Sequence, residues 1–396
     1  MQLCNLNIIG QERENLQSIL IEKELVKAVI SNENPSVNTD DKSKIIFKNA
    51  IAFPGLINSH DHLDFNLFPQ TANHIYNNYA EWGKDIHEKN KGTINAVLKI
   101  PQHLRTQWGV YKNLLNGITT VVNHGEKLNT GDDIINVIQN NYCLHSIQFE
   151  KKWKLKLNRL FAKKQPFVIH VGEGTDKASH AEIDKLIKWN LFKRKIIGVH
   201  GVAMDETQAA AFEALVWCPA SNYFLLNDTA PIDELKIKTS ILFGTDSTLT
   251  ASWNLWEHLR MARNTLLMTD EELFDTLTHT PAMIWKQNNV ASIATNKQAD
   301  IVVANSNGKT GYEAFYSLNP EDIQLILHKG KVRLFDEAIK EQLEANDLSV
   351  AAFSKISINE KIKYVFGDVP ELMHKIKSYY PEAIFPVKNM FTALQF

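Results

Sequence analysis

Between Gly55 and about residue 295 the chain repeats one pattern. A short β-branched run closes on polar residues, and a longer segment with helical spacing follows. The runs are GLINSH, GITTVVNHG, YCLHSIQF, PFVIHVGEG, KIIGVHGV, ALVWCPASN and SILFGTDS; the segments between them include SHAEIDKLIKWN, DETQAAAFEA and WNLWEHLRMARNTLLM. Strand then helix, repeated within one domain, requires a parallel sheet, and this many repeats favours a (β/α) barrel over an open sheet.

The two ends read differently. LCNLNIIG, SILIEKELVKAVIS and KIIFKNAIAF alternate apolar and polar residues before Phe53, and KQADIVVANSN and DIQLILHKGKVRLFD do so after about residue 296. Residues 1–52 and 296–335 are therefore expected to share one small β domain flanking a barrel of residues 53–295. Residues 336–396, with helical charge spacing in DEAIKEQLEAND, are expected to form a helical tail.

Several function classes are disfavoured by composition. Lys+Arg 43 against Asp+Glu 45 gives a net charge of -2, which calls for neither nucleic acid nor an anionic membrane surface. The lysine-rich FEKKWKLKLNRLFAKK is read as a solvated helix. Cys4, Cys143 and Cys218 are too few and too scattered for a disulfide framework, and no CxxC pair occurs. The N-terminus has no basic leader and no run approaches membrane-span length, so the expectation is a cytoplasmic protein acting on a small molecule, with homo-oligomerisation left open.

Active sites of such barrels lie at the C-terminal ends of the strands, so the residues closing each run carry the chemistry. The first run closes with His60 and His62, which share a side because strand side chains alternate. PFVIHVGEG supplies His170 and Glu173, KIIGVHGV supplies His200, and SILFGTDS supplies Asp246. Taken singly, each has an ordinary explanation: a polar rim, a core histidine, a helix N-terminal carboxylate or an N-cap. Taken together, imidazoles and a carboxylate at one mouth match the ligand preferences of zinc or iron(II), in a site with a position open for water.

These motifs resemble the amidohydrolase superfamily, in the aminohydrolase and chlorohydrolase subgroup that includes guanine, cytosine and adenosyl-type deaminases. PGLINSHDH is similar to the family's PGLINxHxH, HVGE to HxxE, VHGVAMDE to its strand-six histidine, WCPASNYFLL to HCPxSNxxL, FGTDS to GTD and NKQADIVVAN to G-x-x-ADLVV. The resemblance implies a distorted (β/α)8 barrel with a small flanking β-sandwich and one divalent metal ion, zinc or iron. His60, His62, His170 and Asp246 would hold the ion, and water activated by the metal would be the nucleophile. Asp246 would accept the proton of that water, Glu173 would shuttle it to the substrate, and His200 would position the hydroxide or polarise the attacked group. The reaction implied is deamination of an aminated heterocycle. Hydrolysis of an amide, lactam or imine at the same metal is an alternative, as is a catalytically silent family member that binds a ligand.

The sequence also departs from the family. Trp217 stands where HCPxSN opens with histidine, and is read either as a pocket wall or as a core tryptophan. The interval from His124 to His170 is short enough that strands three and four, or one whole β/α unit, are expected to be reduced. No arginine follows the His-x-His strand, where LDFNLFPQ offers Asp64 and Asn66 instead. Trp217, His124 and Trp82 are the candidates for touching substrate. Asn222 and Ser247 are expected to order loops.

Overall fold

In the computed structural model, residues 1–11, 16–31, 44–131, 133–160 and 165–390 are described. Strands β1 (Gln2–Ile8), β2 (Gln17–Glu22), β3 (Leu25–Ser31) and β4 (Lys44–Pro54) precede the barrel strands. The latter are β5 (Leu56–Asp61), β6 (Ile118–Asn123), β7 (Asn136–Ile138), β8 (Tyr142–Ser146), β9 (Phe167–Val171), β10 (Ile196–His200), β11 (Ala214–Trp217) and β12 (Ser240–Phe243). After them come β13 (Ile301–Asn305), β14 (Ile323–His328), β15 (Lys331–Asp336), β16 (Phe353–Ile358), β17 (Lys361–Phe366) and β18 (Lys388–Asn389).

The barrel strands form two parallel sheets, ordered β5-β6-β7 and β12-β11-β10-β9-β8. Strand side chains alternate between the barrel interior and the surrounding helices, and the two sets are legible in the cores they join. Ile57, Val122, Val168, Ile197, Val199, Val216 and Leu242 share an inner cluster, whereas Val121, Ile169, Leu215, Trp217 and Phe243 belong to the larger cluster around the helices. Burying each of these aliphatic side chains contributes roughly 1.5–3 kcal/mol.

The expected loss between His124 and His170 takes a different form. Strands β7 and β8 are both present, but only residues 139–141 separate them, and among the described residues no helix follows β6 or β7. The strands remain, and a short helix, Trp153–Leu157, follows β8. Residues 136–138 form too short a run to show a period of two, which is why the sequence pattern does not announce β7.

The chain ends build one continuous sheet of ten strands, ordered β18-β16-β17-β15-β14-β13-β4-β1-β2-β3. Its two faces join different cores: Ile51, Phe53, Val302 and Ala304 face the barrel side, and Ala50, Ala52, Ile301 and Val303 face away. Phe53 packs edge-on against Phe315 at 5.0 Å and Trp256 at 6.0 Å between ring centroids. Residues 336–390 correct the expectation of a helical tail over 336–396, because β16 and β17 form a hairpin and β18 pairs with β16; residues 391–396 lie outside the described residues. FSKISI and KIKYVF pair antiparallel across Asn359 (φ 43°) and Glu360 (φ 67°), and two consecutive left-handed residues are what a tight hairpin turn demands. The helical component is the short Lys340–Glu344 segment and the helix Val369–Tyr379.

Within this frame the helix Gln102–Leu115 is pressed against the turn that follows β5. A Cβ on Gly109 would stand 2.0 Å from the Leu63 carbonyl oxygen, so only glycine permits this approach. The same helix carries Lys112 and Asn113 beneath the first strand's histidines.

Candidate active site

His60, His62, His170 and Asp246 converge at the C-terminal ends of β5, β9 and β12. The Nε2 atoms of His60 and His170 are 3.2 Å apart, those of His62 and His170 are 3.4 Å apart, and Asp246 Oδ1 is 3.8 Å from Nε2 of both His60 and His62. Donors about 2.0–2.1 Å from one zinc ion would lie roughly 3–4 Å from one another in a site with a further position for water, so the donor set fits a divalent cation. Burial, reinforced by neighbouring imidazoles, holds His60 and His170 well below the ordinary histidine pKa. They are neutral, with lone pairs available to a cation.

The orientation of each donor has a local cause. His170 Nδ1–H donates to the His145 carbonyl oxygen at 2.9 Å, which leaves its Nε2 lone pair facing the cluster. Asp246 Oδ1 accepts from the Ser247 amide at 2.8 Å, and its Oδ2 accepts from the hydroxyls of Ser221 at 2.9 Å and Thr250 at 3.1 Å. Burial by itself raises the Asp246 pKa, but His62, His200 and these hydrogen bonds outweigh it, so the carboxylate is held below its ordinary range. Gly244 lets β12 approach β5, since a Cβ there would lie 2.7 Å from the Cβ of His60.

His200 reaches the mouth against the alternation of its strand. Ile196 in the same register faces the helices, and the left-handed backbone of His200, φ 74°, turns its ring inward. Asp246 also has positive φ, 54°. Such conformations cost of order 1–3 kcal/mol each and persist where the surrounding structure enforces them. His200 Nδ1–H donates to Asn222 Oδ1 at 2.8 Å, so its Nε2 is the unprotonated nitrogen, 3.6 Å from Glu173 Oε2. That tautomer makes Nε2 a hydrogen-bond acceptor, which favours positioning a water over polarising a substrate carbonyl.

Glu173 is 6% exposed, and burial, with the charges of Asp246 and Glu182, raises its pKa well above the usual carboxyl value. Its loop is held from two sides. The Tyr79 amide donates to the Glu173 carbonyl at 3.0 Å, and Glu182 Oε1 accepts from the Gly172 amide at 2.9 Å. Burial lifts Glu182 to about 7, although the Gly172 amide and the Tyr79 hydroxyl pull the other way. A folded-state pKa above the unfolded value leaves stability intact below about 4.5 and erodes it as pH rises towards about 7. Glu182→Gln is therefore expected to remove a pH-dependent loss on the order of 3 kcal/mol, since one pKa unit is about 1.4 kcal/mol. Urea midpoints of both proteins from pH 4.5 to 8 test this, and parallel curves would refute it.

Of the side chains expected to meet substrate, Trp217 lies away from the histidine cluster. It is fully buried, its indole N–H donates to Thr229 at 2.7 Å, and its ring packs edge-on against Phe243 among the helices. The neighbouring inward positions of β11 and its end are Val216 and Cys218, so alternation sends Trp217 outward. Trp82 is half-buried with its indole N–H on the Thr71 carbonyl at 2.8 Å, beside Val202 and Leu225. His124 lies in the histidine cluster, 3% exposed, with no hydrogen-bond partner on either ring nitrogen. A buried polar atom left unpaired costs about 1–3 kcal/mol. Asp64 and Asn66 are occupied by the scaffold: Asp64 accepts from Gln102 at 3.0 Å, and Asn66 Nδ2 donates to Asp61 at 2.8 Å.

Sequence reasoning missed the layer behind the histidines. Asp61 points away from the mouth and is fully buried; its Oδ2 accepts from Lys112 Nζ at 3.0 Å and Asn113 Nδ2 at 2.7 Å. Lys112 Nζ also donates to Thr245 Oγ1 at 2.9 Å and the Asp246 carbonyl at 3.3 Å, using all three of its protons. Asn58 joins Asn113 and Thr245 to the same network. The available signal was a lysine and an asparagine on the apolar face of the helix Gln102–Leu115, opposite an aspartate between two histidines.

Residues 151–333 match the model of the amidohydrolase family. The amidohydrolase resemblance is borne out. A 5'-deoxyadenosine deaminase from Methanococcus aeolicus is 24% identical over 305 residues, 62% of this chain and 70% of that protein. An atrazine chlorohydrolase from Arthrobacter aurescens, solved with zinc, has a TM-score of 0.67 at 15% identity, over 96% of this chain and 99% of the other. An adenosine deaminase from Xanthomonas campestris, also with bound zinc, gives 0.65 at 15% identity, over 87% and 98%. These solved neighbours share the fold of this amidohydrolase-like chain. Among the described residues no helix is long and apolar enough to cross a membrane.

Proposed function

We propose that this chain is a metal-dependent hydrolase of a C–N bond that deaminates an aminated heterocycle. One observation carries the reading. A buried Glu173 carboxyl, its pKa raised by burial, stands 3.6 Å from His200, at the edge of a histidine and aspartate cluster spaced for a divalent cation. The family match and a curated relative that is a deaminase support it.

His60, His62, His170 and Asp246 would hold the cation, zinc in the first instance, which would supply Lewis acidity that brings water within reach of deprotonation near neutral pH. Asp246, kept ionised by its hydrogen bonds, accepts a proton from the attacking water. His200 Nε2 accepts a hydrogen bond from the same water and fixes its direction. Glu173 donates its proton to a ring nitrogen beside the attacked carbon, and subsequent proton transfer lets ammonia leave. Hydrolysis of an amide or lactam also needs a proton on its leaving nitrogen, so the preference for deamination rests on the family match and the deaminase relative.

Purified protein is expected to contain about one zinc or iron per chain and to release ammonia from at least one member of a panel of aminopurines, aminopyrimidines and pterins. Turnover of amides or lactams without ammonia release from any amino-heterocycle would transfer the proposal to the amide class. A native protein without metal affinity would end it.

A further inference from the structure

His124 closes β6 in the inward register of Val122, and its backbone N–H is fixed by the Asp61 carbonyl at 2.9 Å. Its ring centroid lies 4.3 Å from that of His170, 5.0 Å from His60 and 5.2 Å from His62. Ligand atoms of His60, His124 and His170 lie within 4.8 Å of one another, and all three residues are buried. A histidine kept for packing or for structural polarity would be expected to spend a ring N–H on a carbonyl, as His170 and His258 do. Neither nitrogen of His124 does so.

We propose that His124 is a further ligand of the cation held by His60 and His170. This rests on the metal reading above and alters its ligand set: four imidazoles and one carboxylate in place of three and one. It also replaces the substrate contact expected for His124. A nitrogen-rich set of this kind selects zinc, iron(II) and their neighbours in the first transition row over magnesium and calcium, which prefer all-oxygen surroundings. The placement on β6 matters. It gives the cation a ligand from a strand that neither His-x-His, HVGE nor GTDS reaches.

The test is zinc affinity, measured by competition with a chromophoric chelator for the whole chain and for His124→Ala, His124→Asn and His60→Ala. Thermal melting of each metal-free protein is measured alongside. A fall in zinc affinity of more than about a hundredfold in both His124 variants, beyond the tenfold to hundredfold scale of removing a group that only supports a ligand, is the expected result. It should accompany an unchanged or higher metal-free melting temperature, because the ring has no protein hydrogen bonds to lose. Wild-type zinc affinity in the two variants, with the expected loss in His60→Ala, would overturn the His124 assignment and leave the four-ligand centre standing. Lower metal-free melting temperatures in both variants would also overturn it, since His124 would then be a packing group. A wild-type chain that fails to bind zinc would instead remove the metal reading itself.

Discussion

Glu173→Gln is expected to lower the rate of ammonia release by about 10²–10⁴-fold, the range supplied by a positioned general acid, while metal content stays at the wild-type level. The amide matches the carboxyl in shape but carries no transferable acidic proton. The effect rests on protonation. Burial, then the nearby charges of Asp246 and Glu182, raise the Glu173 pKa, so the acid form prevails below that raised value. Activity should accordingly fall as pH rises through it, and Glu173→Gln should lack this limb. A variant that keeps more than about a tenth of wild-type turnover would remove Glu173 from the role given to a general acid.

Lys112→Met is expected to destabilise the chain by about 3–5 kcal/mol, because it leaves the buried Asp61 carboxylate without its cation. Both partners are essentially inaccessible to solvent, with side chains 2% and 0% exposed. Solvent screening cannot soften the loss. Removing both charges in Lys112→Met with Asp61→Asn should recover a large part of it, since the uncompensated charge is what is costly. Urea unfolding of the two variants measures both effects. A single variant within about 1 kcal/mol of wild type would show that the pair contributes little. The same substitution removes a donor from the Asp246 carbonyl, so zinc affinity should decline with stability.

The four side chains spaced for a cation could be foreseen because strand alternation and barrel geometry act locally and at predictable places. Wherever the backbone leaves that regularity, foresight stopped. His200 faces the mouth through a left-handed residue, and nothing in VHG alone specifies that φ. Trp217 invited a functional reading because of its place in a motif, when the register of β11 already pointed it at the helices. The β16–β17 hairpin is hard to read because FSKISI and KIKYVF alternate only in part and the charge spacing just before them suggests continued helix. Lys112 and Asp61 meet across 51 residues of sequence, through an approach that depends on a glycine at 109. No local pattern contains such a contact.

The two sheets of the barrel carry different parts of the centre. His60, His62 and His124 sit on or just beyond β5 and β6, whereas His170, His200 and Asp246 extend from β9, β10 and β12. Among the described residues no ladder of hydrogen bonds joins the sheets; between β5 and the end of β12, the Asp246 amide reaches the His60 carbonyl at 3.1 Å. The centre thus straddles a seam. Its alignment is set by side-chain packing and by the Lys112 network, much as the jaws of a vice are set by its screw, and a slip of about 1 Å between the halves can cost on the order of 10²-fold in rate. Lys112, which bridges Asp61 on one side to Thr245 and Asp246 on the other, is the place where that alignment is most directly held.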